Sequence, residues 1–222
     1  MVLGANGLFN PHIMLSSGLD DPGLGKGLVE SATVPVDVEF EHFQNFQGST
    51  LIAGQGFMLY AGKHRRKRAG ALMHVDNRVK VSAERGRWLT RMRLLFTFED
   101  LRSTNNRVIS TDNKPTVVFN GRSAYCTRGI THLQDDVSKI LQSLGVGIRH
   151  FSVGDVWRTD SHIQGTHVMG NDRESSVVDQ GSVHHRLRNL VVVGGGVFPT
   201  APPANPTLTI CALALMAADK IT

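Results

Sequence analysis

A short segment near the end of the chain places the strongest constraint on its fold. Residues 190–193 (Leu-Val-Val-Val) form an uninterrupted apolar run, and three glycines follow at 194–196. Such a run, rich in β-branched residues, predicts a buried strand, and the glycines predict an abrupt turn. After a proline-rich stretch, Asn205-Pro206 marks the start of a helix that runs to about Lys220. Apolar residues lie nearly all the way round this helix, so we expect it to be buried.

The rest of the chain divides into parts of different character, with predicted boundaries at 1–30, 31–155 and 156–222. The first part predicts a short strand, a turn and a short helix with Asn10 as its N-cap and Pro11 at its first position. The last part contains the segment described above.

The middle part is expected to consist mostly of strands. Apolar residues alternate with polar ones at 34–40 and partly at 91–98, and the turn residues Asp112-Asn113 predict a hairpin between 107–110 and 115–119. One helix is predicted from about Ser123 or Thr131 to Leu144. Strands with helical cover on one face indicate an antiparallel sheet in an α+β layer.

Composition and charge exclude several classes of protein. The chain lacks any run of eighteen apolar residues, so no membrane-spanning helix is predicted. Its two cysteines, Cys126 and Cys211, are too few for a disulfide framework or a cysteine metal cluster. Four histidines (His162, His167, His184, His185) lack metal-ligand spacing, so we interpret them as surface residues and expect no metal. The first residues lack the pattern of a secretory signal, which leaves the compartment unknown and cytoplasmic by default.

Two segments together carry a family resemblance. The first, His-Ile-Gln-Gly-Thr-His-Val-Met-Gly, spans residues 162–170. The second is the strand and glycine turn described above, which leads to Asn-Pro-Thr-Leu-Thr-Ile at 205–210. Their order and spacing resemble the C-terminal catalytic region of the glucose–methanol–choline (GMC) oxidoreductases, flavoenzymes that oxidise alcohols and sugars. The asparagine at the second site resembles the sugar- and gluconate-dehydrogenase-like members in particular.

This resemblance implies a fold. Residues 6–19 resemble the family's second signature more loosely, and the middle part resembles its substrate domain. We therefore expect an α+β protein whose antiparallel substrate-binding sheet carries helices on one face, together with remnants (strand, turn, helix) of a Rossmann-like FAD-binding domain. The N-terminal half of that domain is expected to be missing, because neither glycine cluster fits the Gly-x-Gly-x-x-Gly pattern that binds a dinucleotide pyrophosphate. The chain would then be a fragment that binds FAD incompletely by itself.

The resemblance also implies the roles of individual residues. Oxidation of a carbinol requires loss of the hydroxyl proton and transfer of a hydride to flavin N5. His162 is the expected base, because a neutral imidazole accepts a proton readily, and Asn205 is expected to hold the substrate oxygen. Glycines let backbone approach a cofactor without a side chain, and a helix start offers free N–H groups. The expected FAD contacts are therefore Gly195, Gly196, Asn205, Pro206 and Thr207.

Other interpretations stay open. Asn205 could be only a helix N-cap whose side chain bonds to the N–H of Thr207 or Leu208. The chain could be a catalytically silent fragment or an assembly partner that needs a separate N-terminal FAD-binding half. The basic run at 63–68 could bind nucleic acid, although a solvated loop is the favoured interpretation. The expected partners are a small alcohol or sugar, an electron-acceptor protein or quinone and a complementary chain, with no nucleic acid and no membrane span.

Overall fold

The computed structural model of the chain describes residues 1–45, 48, 52, 54–79, 85 and 87–221. In chain order the strands and helices are β1 (Val2–Leu3), α1 (Asn6–Ser16), β2 (Ala32–Phe40), β3 (Gly54–Gly56), β4 (Ala71–Asp76), β5 (Arg91–Phe98), β6 (Asp100–Leu101), β7 (Arg107–Thr111), β8 (Lys114–Val118), α2 (Ala124–Thr131), α3 (Leu133–Ser143), β9 (Ile148–Val153), β10 (Val191–Val192), β11 (Thr200–Ala201) and α4 (Thr207–Ile221). Short 3₁₀ helices lie at Lys63–Arg66, Arg87–Thr90 and Gly195–Val197.

The chain forms two compact units, each built from separate stretches of sequence. The first unit comprises Met1–Ser31, Asp100–Ser123 and Asp160–Thr222, and the second comprises Ala32–Glu99 and Ala124–Thr159. The predicted domain boundaries stay a prediction. The units differ from them mainly in residues 100–123, which lie in the first unit and not with the middle sheet, and in residues 156–159, which lie in the second unit.

The second unit contains a five-stranded antiparallel sheet in the order β3-β4-β5-β2-β9. The α+β prediction with an antiparallel sheet is confirmed. Alternation along β2 directs Val34, Val36 and Val38 into a core that α3 completes with Leu133 and Val137. Burial of these side chains against the helices is what stabilises this unit.

The helical segment of the second unit is two helices rather than one. Helix α2 ends at Thr131 and α3 begins at Leu133. His132 lies between them, and its N–H donates to the carbonyls of Arg128 and Gly129. Gly129 accounts for the close packing here, because a Cβ at that position would lie 3.0 Å from both Ala69 and Phe98.

The hairpin prediction is confirmed in the first unit. Strands β7 and β8 pair antiparallel, with Thr111 opposite Lys114. Asp112 and Asn113 have φ of 48° and 58°. Two consecutive residues with positive φ are the requirement of a type I′ turn, whose twist matches that of the strands it joins.

The two ends of the chain meet in one parallel strand pair. Val2 of β1 lies opposite Val191 of β10, and Leu3 lies opposite Val192. Parallel pairing is the arrangement found in Rossmann-like sheets. The assignment of this pair to a flavin-domain remnant stays a prediction.

The predicted start of α1 is wrong. The helix begins at Asn6, whose side-chain oxygen accepts from the N–H of Leu8 and Phe9, and Pro11 lies inside it. Asn10 does not act as N-cap, since it is buried, accepts from Ala5 N at 2.7 Å and donates to Val193 O at 2.8 Å.

Pro11 is tolerated inside α1 because its missing N–H is replaced by another donor. A helical proline leaves the carbonyl four residues earlier without its usual partner. That carbonyl belongs to Gly7, and the Thr166 hydroxyl donates to it at 2.7 Å. A residue of the His162 segment therefore completes the hydrogen bonding of a helix more than 150 positions away in sequence.

The prediction that α4 is buried on all sides is also wrong. Ile210 and Leu213 pack against the core of the first unit, and Ala217 is buried. Their spacing of three and four residues defines one face. Leu208 and Leu215 are 83% and 69% exposed. Apolar composition predicted full burial, but among the described residues only one face of this helix meets a packed neighbour.

The basic run at 63–68 is partly occupied by ion pairs within the second unit. Arg65 makes two hydrogen bonds to the Glu99 carboxylate, and Arg68 makes two to Asp136. Lys63, Arg66 and Lys67 are exposed. These pairs give the arginines an intramolecular role and lend no support to a nucleic-acid patch.

Candidate active site

The two sequence motifs are joined by backbone hydrogen bonds in the first unit. Every second N–H from Gly165 to Met169 donates to a carbonyl of the glycine turn: Gly165 to Gly195 at 3.3 Å, His167 to Gly196 at 3.0 Å and Met169 to Val197 at 2.9 Å. The structure thus brings together two segments that lie about thirty residues apart in sequence.

Packing at the glycines explains why side chains are absent there. A Cβ on Gly195 would lie 2.7 Å from the Ile163 carbonyl oxygen and 3.6 Å from Ile210 of α4. A Cβ on Gly196 would overlap the imidazole of His167. Both glycines are buried. The protein itself therefore requires these glycines, and their predicted contact with a cofactor stays a prediction.

His162 lies just before the point where its segment pairs with residue Val29. Gln164 and Val29 exchange two backbone hydrogen bonds of 3.0 Å each. The side chain of His162 is 22% exposed, so solvent or a ligand has access to the imidazole. This partial exposure is what a proton-accepting group requires.

Three polar residues that sequence reasoning missed surround His162. Its Nδ1 lies 3.0 Å from Asp160 Oδ2, and the Ser31 hydroxyl donates to the same oxygen at 2.7 Å. Glu30 Oε1 accepts from the backbone N–H of His162 at 3.0 Å and of Asp160 at 3.2 Å. Glu30 and Ser31 are about 130 positions from His162, so only Asp160, two residues before it, was visible as a neighbour in the sequence.

Arg102 holds the backbone of the same segment by a hydrogen bond at Gly165. The Arg102 Nε donates to the carbonyls of Gly165 at 3.1 Å and Gly27 at 3.3 Å, and Nη2 donates to Lys26 O at 3.0 Å. Burial lowers the pKa of the Arg102 guanidinium. Gly165 has φ of 84°, a conformation that favours glycine, and a Cβ there would overlap the Gly27 carbonyl.

Gln164 is a further polar residue that sequence reasoning passed over. It is fully buried, and its Nε2 donates to the His162 carbonyl at 3.2 Å. Its Oε1 has no hydrogen-bond partner within the described part of the chain. A buried acceptor of this kind is costly unless something supplies a donor.

Asn205 lies at the start of α4 and is exposed. Among the residues described here, its side chain makes no hydrogen bond, so the N-cap interaction with Thr207 or Leu208 is not formed. Pro206 is buried and its carbonyl accepts from Ile210 N at 2.9 Å, whereas Thr207 is exposed. The amide of Asn205 is thus available to a ligand.

The relation between the two predicted catalytic residues is indirect. A Cβ on Gly195 would lie close both to Ile163, which follows His162, and to Ile210 in the first turn of α4, which follows Asn205. No hydrogen bond joins the His162 and Asn205 side chains in the described structure. Their joint action on one substrate stays a prediction.

The prediction that the histidines are surface residues is wrong for two of them. His167 and His184 are both fully buried. His184 Nε2 lies 3.0 Å from Asp21 Oδ2, and its Nδ1 accepts from the N–H of Arg186 and Leu187. Burial lowers the pKa of His167 to about 3, an effect that a hydrogen bond with the Val193 backbone opposes. His167 is therefore neutral and structural.

The described residues include neither a metal-binding cluster nor a helix that could span a membrane. No group of three or more His, Cys, Asp or Glu side chains is arranged to hold a metal ion in the part of the chain that the structure describes. The described helices also include none with the length and apolar character needed to cross a membrane.

Comparison with known proteins identifies the region that carries both motifs. The C-terminal family model described as GMC oxidoreductase matches residues 131–214, which include His162 and Asn205. Residues 131–214 are therefore similar to the C-terminal domain of the GMC oxidoreductases. GMC oxidoreductases are FAD-dependent flavoproteins.

Relatives of the GMC region include oxidases and a dehydrogenase. Paromamine 6'-oxidase of Streptomyces fradiae is 36% identical over 95 residues, which cover 42% of this chain and 17% of that protein. The fructose dehydrogenase large subunit of Gluconobacter japonicus is 40% identical over 62 residues, covering 28% of this chain and 11% of that protein.

A solved structure extends the likeness of fold to nearly the whole chain. Pyridoxine 4-oxidase from Mesorbium loti superposes with a TM-score of 0.70 and 17% identity, covering 99% of this chain. The match covers 50% of the pyridoxine 4-oxidase chain, so this chain spans about half its length.

Proposed function

We propose that this GMC region takes part in the FAD-dependent oxidation of a CH–OH group of an alcohol or sugar, with His162 as the base. The observation that carries the proposal is the state of His162 within the matched family segment. Its side chain is partly exposed, and both its backbone N–H and its Nδ1 are hydrogen-bonded. Fructose in the name of one relative supports a sugar as substrate. Oxygen, a quinone or a protein would accept the electrons afterwards.

Several features of the described residues support a flavin site. The exposed Asn205 amide and the first turn of α4 offer donors to an acceptor-rich ring edge, and the buried Gln164 Oε1 lacks a donor of its own. Gly195, Gly196, Asn205, Pro206 and Thr207 are the residues proposed to hold the cofactor. Bound FAD would supply the acceptor for the hydride that leaves the substrate carbon.

The residues of this chain would handle the proton and the oxygen. His162 would take the hydroxyl proton on its outward nitrogen as the carbon–oxygen bond becomes a double bond. Asn205 would donate a hydrogen bond to the same oxygen and stabilise the negative charge that develops there. The likeness to active oxidases and dehydrogenases does not favour the alternative of a catalytically silent fragment.

The substitution His162→Ala tests this proposal in the natural protein that carries the chain, purified with its flavin and assayed on a panel of alcohols and sugars. We expect turnover to fall by about a hundredfold or more, because general base catalysis contributes on the order of 10²–10⁴. Flavin content, read from absorbance near 450 nm, should be unchanged.

The matched control is His42→Ala, since His42 is an exposed histidine of the second unit. It should leave turnover as in the wild type. Wild-type turnover in His162→Ala would remove His162 from the mechanism.

A further inference from the structure

The Asp160 carboxylate lies within hydrogen-bond distance of Nδ1 of the His162 imidazole. We propose that Asp160 is a positioning residue that holds neutral His162 in the Nδ1–H tautomer and thereby leaves Nε2 as the proton acceptor. The inference rests on the proposed function of His162 as base. Its physical basis is the hydrogen bonds of the Asp160 carboxylate to His162 and Ser31, together with those that Glu30 accepts from the backbone of Asp160 and His162.

The network determines which nitrogen carries the proton. An ionised carboxylate only accepts hydrogen bonds, so a nitrogen 3.0 Å from Asp160 Oδ2 must donate to it. The Ser31 hydroxyl has one hydrogen, and it points to the same Oδ2 at 2.7 Å. Ser31 Oγ lies 3.4 Å from His162 Nδ1, the longest of these separations. Nδ1–H to Asp160 is therefore the arrangement that satisfies all three groups.

Backbone hydrogen bonds hold the Asp160 and His162 side chains in place relative to each other. Glu30 Oε1 accepts from the N–H of both Asp160 and His162, which fixes the chain on either side of Ser161. Ser161 itself has φ of 59°, so the turn between them is tight. The Asp160 side chain is 9% exposed, compared with 22% for His162. The carboxylate is thus held inside while the imidazole keeps its access to solvent.

This arrangement has a direct chemical consequence. A base needs a lone pair on the nitrogen that faces the substrate, and the Nε2–H tautomer has none there. With the proton on Nδ1, Nε2 can accept the hydroxyl proton, and the imidazolium that forms lies beside a carboxylate that stabilises its charge. Asp160 acts through His162 and need not touch the substrate.

Nuclear magnetic resonance of the flavin-loaded natural protein, labelled with ¹⁵N and ¹³C in histidine, reads the tautomer directly. The His162 signal is the one absent from His162→Ala. At a pH where the imidazole is neutral, we expect the Nδ1–H form in the wild type. Asp160→Ala removes the acceptor and Asp160→Asn, of the same shape, offers a donor as well, so both should raise the share of the Nε2–H form. An unchanged tautomer ratio in both variants, or an Nε2–H wild type, would overturn the inference.

Turnover provides the second readout. Asp160→Asn should lower kcat by about tenfold or more while flavin content stays the same, because a histidine in the wrong tautomer is a poor base. Asp155→Asn, which changes an exposed carboxylate five residues earlier, is the matched control and should match the wild type. A wild-type kcat in Asp160→Asn would also overturn the inference.

The two proposals fail in distinguishable ways. If His162→Ala has no effect on turnover, the proposed function fails regardless of the tautomer. If His162→Ala lowers turnover but the Asp160 variants change neither tautomer nor kcat, only the role of Asp160 fails.

Discussion

His162 and His167 are five residues apart and lie in opposite environments. The His162 side chain is partly exposed and hydrogen-bonded to a carboxylate, whereas His167 is fully buried and packs on Gly196. Both are histidines of one motif, and nothing in their own identity separates them. The difference arises because residues 164–168 are all buried, with His167 donating its backbone N–H to Gly196, whereas His162 lies before this buried stretch.

The buried state of His167 predicts a loss of stability in acid. Its pKa is lowered from 6.5 to about 3 in the folded protein, so between these values the unfolded chain binds a proton that the folded chain does not. Stability from this residue is therefore complete above pH 6.5 and declines as the pH falls toward 3. The slope approaches about 1.4 kcal/mol per pH unit.

Urea unfolding of the wild type and of His167→Gln at several pH values between about 7 and about 4 measures this contribution. The difference in unfolding free energy between the two proteins should shrink as the pH falls, because the variant lacks the titrating group. A difference that stays constant with pH would contradict the prediction.

At the scale of single elements, local pattern decides some features and packing decides others. The β7–β8 hairpin follows from its own sequence, because Asp and Asn tolerate positive φ between two short strands. The start of α1 does not, since Asn10 is used as a buried partner of Val193 rather than as a cap. The exposed face of α4 is also decided by packing, because Ile210 and Leu213 meet the core of the first unit whereas Leu208 and Leu215 are exposed.

The hairpin turn provides a prediction at this scale. Asn113→Gly should raise the free energy of unfolding by up to about 1 kcal/mol, because Asn113 has φ of 58° and is exposed, and glycine adopts that conformation without steric cost. Asn113→Val should lower it, since a β-branched residue is strained at positive φ. Thermal or urea unfolding measures both changes. Equal stabilities of the two variants would show that the turn does not constrain this residue.

At the scale of the whole molecule, the two compact units have separate hydrophobic cores. The core of the second unit contains Val36 among its fully buried members, and the core of the first contains Val192. No residue belongs to both of these cores among the described positions. Because the cores are separate, we predict that a cavity in the core of one unit lowers the stability of that unit and not of the other.

A matched pair of substitutions tests this independence, since Val36 and Val192 are both 0% exposed. Val36→Ala and Val192→Ala should each cost roughly 2 kcal/mol through lost burial and a residual cavity. In native-state hydrogen exchange, Val36→Ala should reduce protection mainly in the second unit and Val192→Ala mainly in the first. Equal loss of protection throughout the chain in both variants would indicate one cooperative core.

The sequence by itself determined the features that depend on a residue's own neighbours. The alternation along β2, the turn at Asp112-Asn113 and the two motifs around His162 and Asn205 were all predictable, because strand period, positive φ and motif order are local properties of the chain. The order of the two motifs also predicted the likeness to the GMC oxidoreductases that residues 131–214 show.

Tertiary structure alone decided burial and long-range partners. Glu30 and Ser31 meet Asp160 and His162, and Thr166 donates to Gly7, although nothing in the sequence pattern of one segment indicates the other. The burial of His167 is likewise not indicated by its own segment. Hydrogen bonds and packing are satisfied by whichever distant segment lies alongside. The pattern within one segment does not encode that partner.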